Sequence, residues 1–129
     1  MTATTGIEPV VIDSSGWLEY ITSDTKADLF VPYFKDASLI LVPTIVIYEV
    51  RKVLLLRNTK QMADDFISQA LLLKVISIDE NIAMDAALLS IQFQLALADA
   101  LIYAASSRTN ANLITSDNHF KGLPGVTVL

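Results

Sequence analysis

The sequence predicts a three-layer α/β/α sandwich around a mostly parallel sheet of four to five strands. Short apolar runs rich in β-branched residues recur along the 129 residues, and helical stretches separate them. Such strands form parallel sheets through right-handed crossovers, with helices on both faces. No linker, repeat or low-complexity segment interrupts this pattern. We therefore expect a single domain over residues 1–129.

The strands are predicted where a short apolar run ends at a polar or turn residue, which is typical of buried strands. In chain order they cover residues 9–12, 38–42, 75–78, 112–115 and 126–129. The first strand stops at Asp13 and the fourth is followed by Asp117. Ligands of open α/β sheets bind beyond the carboxyl ends of the strands, so these two aspartates are candidate site residues.

The helices are predicted where apolar residues recur at helical spacing after a capping residue or a proline. Ser14 or Ser15 is expected to cap the first helix, and Asp24 or Thr25 to open the second. The second helix is expected to bury Leu29, Phe30, Tyr33 and Phe34. In chain order the remaining predicted bounds are 16–22 for the first helix, then 43–57, 59–72, 79–93 and 97–107.

Composition excludes several classes of function. Cysteine is absent, which excludes disulfides, thiolate zinc sites and cysteine nucleophiles. The net charge of −5 provides no bulk positive field for nucleic acid, so a polyanion must be bound locally. No apolar run reaches the roughly 18 residues of a membrane span. Residues 1–9 contain no basic residue and no apolar stretch, so we expect no secretory signal and a cytoplasmic protein.

The apolar share of 53% exceeds the roughly 45–50% of ordinary soluble domains. The predicted helix over residues 43–57 has little polar face, which indicates cover on more than one side. A deep core explains part of the apolar surplus. A homodimer seam or a groove for a partner segment explains the remaining apolar surface.

Four of the 14 acidic residues interrupt or end apolar runs: Asp13, Glu49, Asp99 and Asp117. An ionised carboxylate buried without a partner costs several kcal/mol, so such groups are paired, protonated or bound to a cation. Few basic residues lie close to them along the chain. A shared divalent cation would stabilise all four, and hard oxygen ligands with one histidine and no cysteine favour Mg²⁺ or Mn²⁺ over zinc.

Each of these positions also has a purely structural interpretation. Asp13 is a candidate N-cap or turn residue, and Glu49 can extend from a helix face to solvent. Asp99 suits the first turn of a helix, where the dipole favours an acid. Asp117 is a plausible turn residue, and the lone His119 is interpreted as a surface or turn residue.

Four segments carry a resemblance to a known family. Residues 11–15, 44–50, 97–105 and 113–120 resemble, in this order, the corresponding segments of PIN domains. The chain is most similar to the VapC-type toxin ribonucleases of bacterial and archaeal toxin–antitoxin pairs. The resemblance covers almost the whole chain and implies a PIN-like fold.

The resemblance also implies a site and an activity. Asp13, Glu49, Asp99 and Asp117 would hold Mg²⁺ or Mn²⁺, Thr115 would support the site through its hydroxyl, and Ser15 matches a frequent serine. The implied reaction is hydrolysis of RNA phosphodiesters to a 5′-phosphate and a 3′-hydroxyl. The implied partners are RNA, a VapB-like antitoxin and a second copy of the chain. Candidate phosphate contacts are Arg51, Lys52, Arg108 and Lys121.

Three other interpretations compete with this one. A haloacid-dehalogenase-like phosphatase expects a second carboxylate two residues after Asp13, where Ser15 stands. A phosphoaspartyl receiver expects an acidic pair before the first strand site, where only Glu8 is acidic. A catalytically silent PIN-like binding or scaffold module would lack the acids, whereas all four are present.

Overall fold

The computed structural model describes residues 8–129 as a central five-stranded sheet with six α-helices. All neighbouring strands are parallel, and their order across the sheet is β3-β2-β1-β4-β5. The prediction of an α/β fold with a mostly parallel sheet is therefore confirmed. The strands are Val10–Ile12 (β1), Ile40–Pro43 (β2), Lys74–Ile76 (β3), Asn112–Thr115 (β4) and Val126–Val128 (β5).

The helices occupy the connections, as the apolar spacing predicted. The first three are Ser14–Thr22 (α1), Ala27–Phe34 (α2) and Thr44–Arg57 (α3). The others are Lys60–Ala70 (α4), Glu80–Phe93 (α5) and Leu97–Arg108 (α6). Two 3₁₀ turns, Ala37–Leu39 and Asn118–Phe120, precede β2 and follow β4.

The strand order reverses direction at β1. The chain steps from β1 to β2 to β3 in one direction and then crosses back to β4 on the other side of β1. Right-handed crossovers place α1 to α4 on one face of the sheet and α5 and α6 on the other. The carboxyl ends of β1 and β4 lie side by side at this reversal, where α/β proteins bind ligands.

The core is densest around the three central strands. Val11 of β1 pairs with Leu41 of β2 and Leu113 of β4, and the side chains of Val11 and Leu113 are fully buried. On α1, Trp17 makes edge contacts with Phe34 and Phe66, with ring centroids 4.8 and 5.3 Å apart. Its indole N–H has no hydrogen-bond partner among the described residues.

The first two helices begin differently from the prediction. Helix α1 starts at Ser14 and its N-cap is Asp13, whose carboxylate accepts from the Ser14 N–H, so neither serine is the cap. Helix α2 starts only at Ala27, because Asp24 closes a preceding turn through its own carbonyl. Leu29 was expected to be buried and is 52% exposed.

Other boundaries differ by a few residues. Residues 37–39 form a 3₁₀ turn, so the second strand is Ile40–Pro43 and not 38–42. Pro43 ends β2 and is the N-cap of α3, since its fixed φ suits the extended residue before a helix. Thr59 and Asp79 are N-caps of α4 and α5 through side-chain hydrogen bonds, so these helices begin one residue later than predicted.

Residues 1–7 belong to the segment in which no secretory signal was expected, and they lie outside the described residues. In the described part of the chain, no single helix combines the length and apolar composition needed to span a membrane. Helices α5 and α6 meet those criteria only as a pair, and the pair is bent by 115°.

Helix α3 is buried along one face only. Val46, Val50 and Leu54 are fully buried, whereas Tyr48 and Leu56 are 58% and 73% exposed. Residues 8–129, the part of the chain that the structure describes, therefore leave apolar surface of this helix exposed.

Candidate active site

Asp13 is at the centre of the candidate site, between the ends of β1 and β4. Its side chain is 4% exposed, and Oδ1 accepts from the Ser14 N–H at 2.8 Å. Oδ2 accepts from the hydroxyls of Thr115 at 2.7 Å and Ser15 at 3.2 Å. Both oxygens are thus held by neighbouring groups, so the carboxylate is fixed in one orientation.

Glu49 reaches the same place from helix α3. Its Oε1 accepts a hydrogen bond from the Ser14 hydroxyl at 2.7 Å, across 35 residues of sequence. The Ser14 N–H binds Asp13 at the same time, so one residue joins both acids. This link was not predicted, since Ser14 was considered only as a cap, and its position directly after Asp13 was the available signal.

Asp99 and Asp117 complete the group from the other side. Asp99 lies half-buried in the first turn of α6, and Asp117 lies two residues beyond β4. The Asp117 N–H donates to Thr115 Oγ1 at 2.9 Å, and that hydroxyl donates to Asp13. The Thr115 hydroxyl therefore connects Asp117 to Asp13.

The negative charges at this edge influence one another. Burial raises the pKa of Asp13 to about 6, and the charge of Asp99 contributes in the same direction. The hydrogen bonds that Asp13 accepts from Thr115 and Ser14 partly oppose this shift. Burial also raises the pKa of Asp99, and the charges of Asp117 and Glu49 add to this effect. Asp99 is therefore the acid through which the charges of Asp13, Glu49 and Asp117 are coupled.

The structural interpretations of these residues hold at the same time. Asp13 is the N-cap of α1, Asp99 is the first-turn acid of α6, and Asp117 caps a 3₁₀ turn. Capping places Asp13 and Asp117 directly beyond β1 and β4, whereas Asp99 lies in the first turn of α6, whose N-cap is Ala96. Local structure and proximity to the other acids are therefore compatible.

His119 was interpreted as a surface residue, and its side chain is 82% exposed. Its Nδ1 nevertheless lies 2.9 Å from Asp117 Oδ1. One ligand atom from each of Asp99, Asp117 and His119 lies within 4.8 Å of the others. The spacing of two residues between Asp117 and His119, across a tight turn, was the signal in the sequence.

The four basic residues predicted to contact phosphate lie at different distances along the fold from the four acids. Arg51 pairs with Asp64 at 3.1 Å, and its neighbour Lys52 lies 5.6 Å from the ring centroid of Tyr48. Both follow Glu49 on α3. Lys121 is exposed directly after the 3₁₀ turn that carries His119. Arg108 lies at the opposite end of α6 from Asp99 and pairs with Asp85 at 3.3 Å.

The donor set at this edge fits a divalent cation. The four acids come from separate segments of the chain, and hard carboxylate oxygens suit Mg²⁺ or Mn²⁺. Of the four, Asp99 and Asp117 offer ligand atoms within 4.8 Å of each other, whereas Asp13 and Glu49 are joined to the group through Ser14 and Thr115. The burial and mutual repulsion that raise the pKa of Asp13 and Asp99 are the conditions that a cation would relieve. Carboxylates crowded in this way can hold a metal ion and position a substrate phosphate.

Solved structures share this fold. A toxin–antitoxin complex from Klebsiella pneumoniae matches with a TM-score of 0.77 and 22% identity, over 92% of this chain and 96% of that one. DNA-bound VapBC from Salmonella typhimurium matches with a TM-score of 0.73 and 15% identity, over 95% and 97%. VapC20 from Mycobacterium tuberculosis, a sarcin–ricin-loop-cleaving toxin, matches with a TM-score of 0.69 and 15% identity, over 81% and 86%.

No curated protein sequence has a significant match to this chain. The family model described as PIN domain matches residues 10–126, a range that contains all four acids. The resemblance drawn from the four sequence segments is thereby confirmed. With a VapC-like architecture and a family match over nearly its full length, this chain belongs to the PIN domain family.

Proposed function

We propose that this PIN domain is a metal-dependent endoribonuclease and the toxin of a toxin–antitoxin pair. One observation carries the proposal: Asp13 is linked to Glu49 through Ser14 and to Asp117 through Thr115, and Asp117 and Asp99 offer ligand atoms within 4.8 Å of each other. More than 100 residues separate Asp13 from Asp117 in the sequence. A scaffold module has no need to hold four acids together against their mutual repulsion. Family membership and the VapC-like fold support the same activity.

Asp13, Glu49, Asp99 and Asp117 would hold Mg²⁺ or Mn²⁺. The chemistry supplied by a bound divalent cation is activation of water for in-line attack and neutralisation of charge on the phosphate oxygens. The water oxygen would bond to phosphorus as the bond to the 3′-oxygen breaks, and a proton would end on that oxygen. This balance gives the 5′-phosphate and 3′-hydroxyl that the family resemblance implies.

The chain's own residues contribute orientation. The hydroxyls of Thr115 and Ser15 fix one oxygen of Asp13, and the Ser14 N–H fixes the other. The Ser14 hydroxyl in turn fixes Glu49. Because the ligands are held before substrate arrives, little ordering is required during the reaction.

RNA must approach a protein whose net charge is −5. Without a cation, the acidic edge would repel phosphate, so metal and substrate should bind cooperatively. Lys52 and Lys121 are exposed and follow Glu49 and Asp117 along the chain, which makes them our first candidates for phosphate contacts. Arg51 and Arg108 remain candidates, although each already pairs with an aspartate.

The proposal also includes binding to a partner protein and association of the chain with a second copy of itself. Similar structures include toxin–antitoxin complexes, and α3 leaves Tyr48, Leu55 and Leu56 exposed. We expect a VapB-like antitoxin and a homodimer, in the cytoplasm. Light scattering after size exclusion should give twice the 14.1 kDa mass of the chain. A monomer at high concentration would contradict the dimer.

The decisive experiment incubates the purified chain with total cellular RNA in Mn²⁺ or in EDTA and maps the new 5′ ends. Discrete cuts that require the cation are expected in the wild type and absent in Asp13→Asn and Asp99→Asn. Asp79→Asn is the matched control, because Asp79 is also an N-cap but is exposed on α5. Equal cleavage by all four proteins would refute the proposed chemistry.

A further inference from the structure

His119 lies at the edge of the acidic site in a position set by the backbone. Asp117 caps the 3₁₀ turn by accepting from the His119 N–H at 2.9 Å. The same carboxylate oxygen lies 2.9 Å from His119 Nδ1, so the imidazole is held against Asp117. One ligand atom from each of His119, Asp117 and Asp99 lies within 4.8 Å of the others.

These three side chains form a donor set different from carboxylates alone. Carboxylate oxygens suit Mg²⁺ and Ca²⁺ as well as Mn²⁺, whereas an imidazole nitrogen adds affinity for first-row transition metals, Mn²⁺ and Co²⁺ among them, that Mg²⁺ does not gain. Asp99 and Asp117 come from different elements, α6 and the segment after β4, so the set is assembled by the fold. A group accessible to solvent on one side and flanked by two acids can receive a hydrated ion.

We propose that the His119 imidazole supplies a nitrogen ligand beside Asp99 and Asp117, and that it makes the site prefer Mn²⁺ and Co²⁺ to Mg²⁺. This inference rests on the metal dependence proposed above and assigns the selectivity of that same site. His119 then determines which ion the site prefers, while the four acids provide most of the negative charge that attracts it.

Isothermal titration of the untagged full chain with MnCl₂, CoCl₂ or MgCl₂ tests the preference. His119→Ala should weaken Mn²⁺ and Co²⁺ binding about tenfold or more, since loss of even an outer-shell partner costs 10–100-fold. Binding of Mg²⁺ should change much less, so the Mn²⁺ to Mg²⁺ affinity ratio should fall. Asn118→Ala is the matched control, because Asn118 is exposed on the same turn, and its ratio should stay at the wild-type value.

A second readout identifies the ligand atom without relying on activity. The chain contains one histidine, so imidazole ¹⁴N modulation in pulsed EPR of the Mn²⁺-loaded protein can come only from His119. The modulation should be present in the wild type and absent in His119→Ala. His119→Gln keeps a hydrogen-bond donor for Asp117 but lacks the imidazole, and it should behave like His119→Ala.

The outcomes separate this inference from the proposed function. If the wild type binds none of these cations, the metal-dependent nuclease itself is refuted. If it binds them without ¹⁴N modulation, or with the same Mn²⁺ to Mg²⁺ ratio as His119→Ala, only the role of His119 is overturned. Recovery of the ratio in His119→Gln also overturns it, since the imidazole would then act through its hydrogen bond to Asp117.

Discussion

The carboxylate of Asp13 has two opposing effects on the stability of the fold. As the N-cap of α1 it stabilises the fold, and this role requires only a hydrogen-bond acceptor. As a buried acid near Asp99 it destabilises the fold whenever it is ionised. A residue selected for stability alone would keep the acceptor and lose the charge.

Asp13→Asn should therefore abolish cleavage and raise the stability of the metal-free protein at neutral pH. Asparagine caps helices as well as aspartate does, and a pKa raised from 3.8 to about 6 corresponds to about 3 kcal/mol of destabilisation by the charge. Urea unfolding in EDTA at pH 7.5 measures the gain, with Asp79→Asn as the exposed-cap control. A less stable Asp13→Asn protein would contradict this account.

The same shift predicts how stability depends on pH. Between pH 4 and about 6 the folded protein binds the Asp13 proton more tightly than the unfolded chain does, so this carboxyl group lowers the free energy of unfolding as pH rises. Above about pH 6 its contribution is constant. Unfolding curves in EDTA should show the Asp13→Asn protein gaining on the wild type across this window. A difference that does not vary with pH would show that Asp13 keeps an ordinary pKa.

At the scale of elements, helix α1 depends on a close approach to α2. A Cβ added at Gly16 would lie 2.5 Å from Cε1 of Phe30 and 2.7 Å from Cγ2 of Ile12, so glycine is required there by space. This contact holds the start of α1, and with it Ser14 and Ser15, beside the end of β1. The helix that carries the hydroxyls of the site is thus positioned by packing.

Gly16→Ala should destabilise the protein by between about 1 and 3 kcal/mol, the range typical of overpacked cores. A double-mutant cycle with Phe30→Leu, measured by urea unfolding, should give a favourable coupling energy of about 0.5 kcal/mol or more, because the smaller side chain makes room for the methyl group. Gly122→Ala is the contrast, since Gly122 has φ +83° and nothing within 4 Å of an added Cβ. It should show no coupling to Phe30. Equal coupling at both glycines would exclude steric contact with Phe30 as the cause.

At the scale of the molecule, the topology concentrates acid at one edge of a protein that is already negative. The strand order β3-β2-β1-β4-β5 brings the ends of β1 and β4 together, and α3 and α6 add Glu49 and Asp99. Repulsion among these groups disfavours the folded state. A cation that binds only the folded site should relieve it.

Mn²⁺ should accordingly raise the thermal midpoint of the wild type by several degrees at saturating concentration, because ligand at 100 times its Kd adds about 2.7 kcal/mol. Differential scanning fluorimetry in EDTA and in MnCl₂ measures the shift. Asp99→Asn should show a much smaller one, and Asp79→Asn should respond like the wild type. No shift in any of the proteins would favour a scaffold module over a nuclease.

The sequence by itself determined the alternation of strands and helices and the family, and it identified four acids as candidates for the site. Those features depend on short stretches of sequence, namely the spacing of apolar residues and the carboxylates that interrupt apolar runs. Helix starts were less determined, because neighbouring polar residues such as Asp13 and Ser14 compete to cap the same turn, and hydrogen-bond geometry decides between them.

Only the tertiary structure decided which groups touch. The bridge from Ser14 to Glu49 spans 35 residues, and the hydrogen bond from Thr115 to Asp13 spans 102, so no local pattern encodes either. The proximity of Asp117 and His119 to Asp99 likewise depends on how α6 docks beside β4, whereas the contact of His119 with Asp117 lies within one turn. The chemistry of each side chain is a local property of the sequence. The distances between these side chains depend on the order of the strands in the folded sheet.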